Sequence, residues 1–346
     1  MKVKGKRLAC ALAGLTLLAG LTGCSAGAAG EGAARQIIRI GHNQATSHPT
    51  HIALLQFETF IESKLGDKYD VQVYPSELLG SQTDMVQLTQ TGAIDFCVAS
   101  NSILETFSDN YTLFNLPYLF GSSEAYHAAM DDDEVTGPIF ESTKKAGFEA
   151  VTWIDAGTRS FYTVNKPINS PADLKGLKIR VQQSPTNVEM MRLLGGSATP
   201  MGFGDVYTAL QSKIIDGAEN NELALTSNGH GDVCKYYSYD MHQMIPDILI
   251  GNCDFLDGLS ADERAIFEEG FALVNKVERE EWSGAVEEAK KTASEKQGVT
   301  FLYPDTKPFQ EACAPLHDQL LQKYPDLKPI YDRIQQYNEQ YPSAKS

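Results

Sequence analysis

Short apolar runs that alternate with amphipathic helical stretches, and that stop at polar residues, constrain this chain more than any other feature. Ile37-Ile38-Arg39-Ile40 reads as a strand, and His51 to Leu65 as a helix with Ile52, Leu55, Phe60 and Ile61 on one side. Asp70 to Tyr74 alternates as a second strand, Gln82 to Thr91 reads as a helix stopped by Gly92, and Ile94 to Ala99 is a compact third strand. Phe148 to Ile154 opens another block of the same kind. It continues through a short helix at Pro171 to Lys175, a strand at Leu177 to Val181, helices at Pro185 to Leu194 and Asp205 to Lys213, and an apolar run from Ile214 to Ala218. Such alternation predicts an α/β fold with largely parallel sheets, whose ligands bind beyond the carboxyl ends of the strands. Asn43, Ser100 and Asn220 fall at such ends. Two blocks with polar strand ends predict two lobes facing one another across a cleft. A helical pattern from Ser260 to about Gln297 is long enough to brace both.

The first residues speak to location. Lys2, Lys4, Lys6 and Arg7 precede an apolar run from Leu8 to Leu21, which ends in Leu21-Thr22-Gly23-Cys24. A basic start, a short apolar core and small residues before a cleavage point mark a secretory signal over residues 1–23. The run is shorter than the ~20 apolar residues of a membrane-spanning helix. A small residue directly before cysteine resembles the lipobox of bacterial lipoproteins, which makes Cys24 the expected acylated N-terminus and residues 24–35 a flexible tether. Losing residues 1–23 removes four basic and no acidic residues, so the formal charge falls from −16 to about −20. That charge argues against nucleic acid or anionic lipid as a partner. An acidic protein that binds an anion must therefore do so in a pocket with its own cations. Cys97, Cys234, Cys253 and Cys313 lack metal-ligand spacing, and four cysteines leave three disulfide connectivities open.

Candidate chemistry narrows to two arginines. His42, His48 and His51 crowd one stretch, but they span a strand end, a loop and a helix start, without the carboxylate or cysteine support of a metal site. Asp131-Asp132-Asp133-Glu134 lacks the ligand spacing and turn glycine of a calcium loop. There is no G-x-S-x-G elbow and no glycine-rich phosphate loop, so nothing reads as an enzyme, and no cofactor is expected. Arg180 sits in the apolar strand Leu177-Lys178-Ile179-Arg180-Val181, and Arg159 stands just ahead of Phe161 and Tyr162. A strand arginine is commonly a structural ion pair or an edge residue. Two of them in one lobe, with Asn220 on the next strand end, point to a carboxylate, which the planar arginine fork grips with paired hydrogen bonds. Asn43, Ser100, Gln82, Gln183 and Asn220 supply neutral donors and acceptors suited to hydroxyls. Phe203 and Tyr162 can wall the site.

The runs "YPSELLGSQTDMVQLTQTGAIDF", "FNLPYLF", "GTRSFYTVNKPINSPADLKGLKIRV" and "GGSATPMGFGDVYTALQSKIIDGAEN", in this order and spacing, resemble the solute-binding proteins of the TRAP (tripartite ATP-independent periplasmic) transporters, the DctP family. The resemblance implies a two-lobed periplasmic-binding-protein-like fold with a cleft between the lobes, a hinge, and a long helix bridging both. The expected division is 36–156 with about 246–280 in lobe I and 157–245 with about 281–346 in lobe II. It implies Arg180 as the main contact to a ligand carboxylate, with Arg159 beside it, Asn220 and Phe203 in the site, and Asn43 where sialic-acid-binding members carry an asparagine. Those members have a glutamate where this chain has Ser100, which turns the expectation toward a six-carbon uronate such as glucuronate or galacturonate. A C4-dicarboxylate, an aldonate, sialic acid, or a ligand sensor feeding a signalling protein are the alternatives. The implied partners are one small and one large membrane subunit driven by sodium, served by a monomeric receptor anchored by lipid outside the cytoplasm.

Overall fold

The structure is a computed structural model that describes residues 34–343. The signal segment, Cys24 and the tether up to residue 33 lie outside the described residues. In chain order the strands are β1 (Gln36–Gly41), β2 (Tyr69–Tyr74), β3 (Phe96–Ser100), β4 (Phe148–Ile154), β5 (Arg159–Thr163), β6 (Lys178–Val181), β7 (Ser197–Pro200), β8 (Gly217–Asn220), β9 (Tyr236–Gln243), β10 (Asp247–Asn252) and β11 (Thr300–Leu302). Lobe I holds a sheet of order β2-β1-β3-β10-β4, and lobe II one of order β11-β9-β5-β8-β6-β7.

Both sheets are mixed. β1 pairs parallel with β2 and β3, but β10 runs antiparallel to β3 and β4; in lobe II, β5 runs antiparallel to β8 and β9. The reason is connectivity. β5 and β10 are the strands by which the chain enters one lobe directly from the other, with no helix to turn it back into parallel register. These crossings occupy residues 155–158 and 244–246. At the first, Gly157 takes φ +62, and a Cβ there would lie 2.7 Å from Trp282 Cζ2. Only glycine fits both the left-handed backbone and the indole packed on it.

The long helix, Ala261–Glu295, starts at a capping box in which Glu263 N–H donates to Ser260 Oγ and Ser260 N–H to Glu263 Oε2. At 1.5 Å per residue it spans about 52 Å. Its first half buries Phe267, Phe271 and Val274 against Phe57 in lobe I, and Ala293 near its far end joins the lobe II core around Tyr237 and Val299. The bridging expectation holds. The last helix, Lys328–Gln340, departs from the expected division: Arg333 and Tyr337 contact Asp132, and Asn338 bonds Leu119 and Gly121, all in lobe I. Behind the cleft one core is continuous, from Phe114 and Tyr126 of lobe I to Ile179, Val181 and Met190 of lobe II. None of the four described cysteines forms a disulfide.

Candidate functional site

β6 alternates strictly, and the alternation decides what Arg180 does. Ile179 and Val181 enter the core, so Arg180 is turned to the other face, where it is 3% exposed. Its Nε and Nη2 donate to one carbonyl, Met201 O, at 3.2 and 2.9 Å, and its Cζ lies 5.6 Å over the Phe203 ring. Nη1 is buried and has no partner among the described residues. Burial holds the Arg180 pKa below its ordinary value, with Glu219 attracting and Arg159 repelling the charge from a distance. This is a buried cation whose fork is half used, which is the arrangement that a ligand carboxylate completes.

Arg159 is spent differently. Its Nε donates to Glu219 Oε2 at 2.5 Å, its Nη2 to Glu219 O at 2.8 Å, and its Nη1 to Asn220 Oδ1 at 2.9 Å. His242 Nε2 lies 3.6 Å from the same Glu219 oxygen, and His242 Nδ1 lies 2.8 Å from Asp240 Oδ2. All four side chains come from β5, β8 and β9, and their charges balance. Burial works against the Glu219 charge, but Arg159 and His242 hold its carboxyl at about 2. Burial likewise works against protonated His242, yet Asp240 and Glu219 raise it to about 9. Arg159 therefore brings little net charge to the cleft. It orients Asn220, whose Oδ1 accepts from both Arg159 and Asn221 N–H, leaving the amide NH2 as the group with donors to spare.

Between the lobes lies a cavity lined by Asn43, Gln44, His48 and Gln82 from lobe I, Ala156 and Asp247 at the crossings, and Arg159, Arg180, Gln182, Phe203, Asn220 and Asn221 from lobe II. Of the residues expected from the sequence, Arg180, Arg159, Asn220, Phe203, Asn43 and Gln82 meet here. Ser100, Tyr162 and Gln183 do not line it. Ser100 stands behind Gln82, to whose Oε1 it donates its backbone N–H at 2.6 Å. Tyr162 is buried behind Phe203, its hydroxyl 2.8 Å from His230 Nδ1. Gln183 is exposed, and Gln182 takes the inward position because Val181 and Gln183 fall on the other parity of the extended chain.

Gln44, His48, Asn221 and Asp247 were not singled out beforehand as ligand-binding residues. For His48 a signal existed, since Ser47-His48-Pro49 reads as a helix N-cap followed by proline at the first helical position. Its Nδ1 accepts from Thr50 N–H at 3.2 Å, so the neutral ring carries its proton on Nε2, and burial holds its pKa at about 3. By the same reasoning His42 Nδ1 accepts from Gln44 N–H, and His42 Nε2 donates to His51 Nδ1 at 2.9 Å. Several hydrogen bonds span the lobes, among them those from Asn187 Nδ2 to Ser102 Oγ and from Tyr118 Oη to Asp240 O. Gly204 N–H of lobe II donates to Glu77 Oε2 of lobe I at 3.2 Å, and Ser184 and Thr186 hydroxyls donate to Glu105 at 2.5 and 2.7 Å.

Residues 40–323 match the family described as bacterial extracellular solute-binding protein, family 7, or DctP. The chain belongs to this family. A protein of Salmonella typhimurium known as uncharacterized protein YiiZ is 41% identical over 299 residues, 86% of this chain and 91% of that one. Among solved structures, a TRAP periplasmic solute-binding protein from Anaerococcus prevotii, crystallised with bound α/β-D-glucuronate, is 68% identical with a TM-score of 0.88, covering 89% of this chain and 100% of that one. Another from Xanthobacter autotrophicus, with bound β-D-galacturonate, is 33% identical with a TM-score of 0.82, covering 86% and 98%. The DctP fold class expected from the sequence is the fold found. No described helix is long and apolar enough to cross a membrane.

Proposed function

We propose that this DctP protein is the receptor of a TRAP transporter, that it captures a uronate, glucuronate or galacturonate, by its carboxylate, and that it delivers the sugar acid to one small and one large membrane subunit for sodium-driven uptake. The observation that carries the reading is Arg180: a buried cation with Nη1 unpartnered, in a cavity otherwise rich in neutral amides. A carboxylate there gains a charge-assisted hydrogen bond from a guanidinium buried away from water, where charge pairs are strengthened. Asn43, Gln44, Gln82, Gln182, Asn220 and Asn221 offer donors and acceptors for ring hydroxyls. The glucuronate and galacturonate bound to the two structural relatives agree with this division of labour. The receptor acts as a monomer held at the outer face of the membrane by lipid on Cys24, which mass spectrometry of membrane-extracted protein checks directly.

The test is calorimetry with glucuronate, galacturonate, glucose and succinate. Both uronates bind and glucose does not, because glucose lacks the carboxylate that Arg180 requires. Tight binding of succinate with no response to either uronate overturns the reading.

A further inference from the structure

Asp247 is the one carboxylate among the residues lining the cavity, and it is 8% exposed. It is the first residue of β10, pinned between Ser100 of β3 and Ile154 of β4 where the chain re-enters lobe I. No cation forms an ion pair with it among the described residues. Arg159, whose charge reaches it from β5, is already bound to Glu219. The cavity therefore carries one uncommitted cation, Arg180, and one uncommitted anion, Asp247.

An ionised carboxylate can only accept hydrogen bonds. Toward a sugar acid it accepts from hydroxyls. Toward a second ligand carboxylate it offers nothing and repels. Arg180 and Asp247 line the same cleft, so a ligand held by one carboxylate on Arg180 keeps any second carboxylate in the cleft that Asp247 faces. At the effective dielectric of a partly buried site, two like charges about 9 Å apart weaken binding about 20-fold, and about 6 Å apart about 100-fold.

We propose that Asp247 is a charge filter that accepts ligand hydroxyls and rejects any second carboxylate, so that the cleft takes monocarboxylate sugar acids and excludes hexarates and C4-dicarboxylates. The inference rests on the uronate reading and specifies it. It also makes the selectivity depend on pH. Burial pushes the Asp247 carboxyl up to about 6, against the attraction of Arg159 and a hydrogen bond from Gln44. The other groups around it are Arg180 across the cavity, Glu278 of the long helix, which burial pushes well above the carboxylate range, Asp155, which is paired with His127, Tyr126 from the Ser123–Met130 helix, which burial likewise keeps neutral, and neutral His48. As pH falls from 8 to 5, Asp247 takes up a proton while sugar-acid carboxylates stay ionised, and the filter weakens.

Calorimetry of wild type and Asp247→Asn with glucuronate and with glucarate, at pH 8 and pH 5, tests this. Because glucarate also differs in shape, the readout is the change in the glucarate-to-glucuronate Kd ratio, not either ratio alone. The ratio is expected to fall at least tenfold on substitution at pH 8, and to fall with pH in wild type but not in the variant. If the variant does not fold, the wild-type pH arm carries the same decision. A wild type that binds glucuronate with a ratio unmoved by Asn and by pH overturns the filter alone. A wild type that binds neither sugar acid overturns the uronate reading and the filter with it.

Discussion

Replacing each cleft arginine by methionine should separate a binding role for Arg180 from a structural role for Arg159. Arg159→Met leaves Glu219 buried at 0% exposure with His242 as its remaining counter-charge, and strips Asn220 of a donor. Removing one partner of a buried ion pair costs about 3–5 kcal/mol. Such a loss lowers the melting temperature by on the order of 6 °C or more, at about 2–4 °C per kcal/mol in chains of 150–250 residues. Arg180→Met deletes a buried cation that has no carboxylate partner. It costs about 1–3 kcal/mol for the Met201 carbonyl that loses both donors, and this is offset by the charge that no longer has to be desolvated. Ligand-free stability should therefore stay within about 1 kcal/mol of wild type. Binding should respond in the opposite order. Arg180→Met removes the ligand carboxylate's ion-pair partner, worth about 2–5 kcal/mol, or roughly 30- to several-thousand-fold in Kd. Arg159→Met should lose roughly tenfold, through misplacement of Asn220. Differential scanning calorimetry of the ligand-free proteins and titration with glucuronate read both quantities. Equal losses of melting temperature in the two variants, or wild-type affinity in Arg180→Met, would refute the assignment of roles.

Three further outcomes follow from the geometry. The Arg159–Glu219–His242–Asp240 cluster should weaken on the alkaline side. With its pKa raised to about 9, His242 contributes stability that is complete below its ordinary value near 6.5 and lost as pH rises through about 9, up to about 3 kcal/mol. Glu219, held at about 2, contributes in full above its ordinary value near 4.5 and loses that contribution only as pH falls below it, so urea unfolding from pH 6 to 9.5 should show a decline in wild type that His242→Gln lacks. Gly157→Ala should cost more stability than Gly176→Ala. Both glycines have positive φ, +62 and +81, which alone costs an alanine about 1–2 kcal/mol, but only at Gly157 does the added Cβ strike Trp282; equal losses in chemical denaturation would show that the indole yields freely. Gln182→Ala should weaken uronate binding roughly 5- to 10-fold while Gln183→Ala leaves it unchanged, and the reverse pattern would mean that the register of the extended chain after β6 is misassigned.

What the sequence determined by itself is what short-range periodicity can carry. The first three strands, the 35-residue helix with its capping box, and the odd placement of an arginine inside an apolar alternation are all properties of residues within a few positions of one another. β6 could be read because Ile179 and Val181 must be buried, and that requirement already turned Arg180 the other way. Strands β5, β7, β9 and β11 carried no such mark. β9 reads Tyr-Tyr-Ser-Tyr-Asp-Met-His-Gln, and its buried Asp240, His242 and Gln243 look like surface residues until their partners are known. Those partners come from elsewhere in the chain. Glu219 lies 60 residues from Arg159, and β8 must be laid antiparallel on β5 before one arginine becomes a structural cation and the other remains free. Asp247 reaches the cleft only because β10 returns from the other lobe and pairs against β3. Charge type is local, but the compensation of a charge is set by which strands pair, and in this protein that compensation decides which residues are left to hold a ligand.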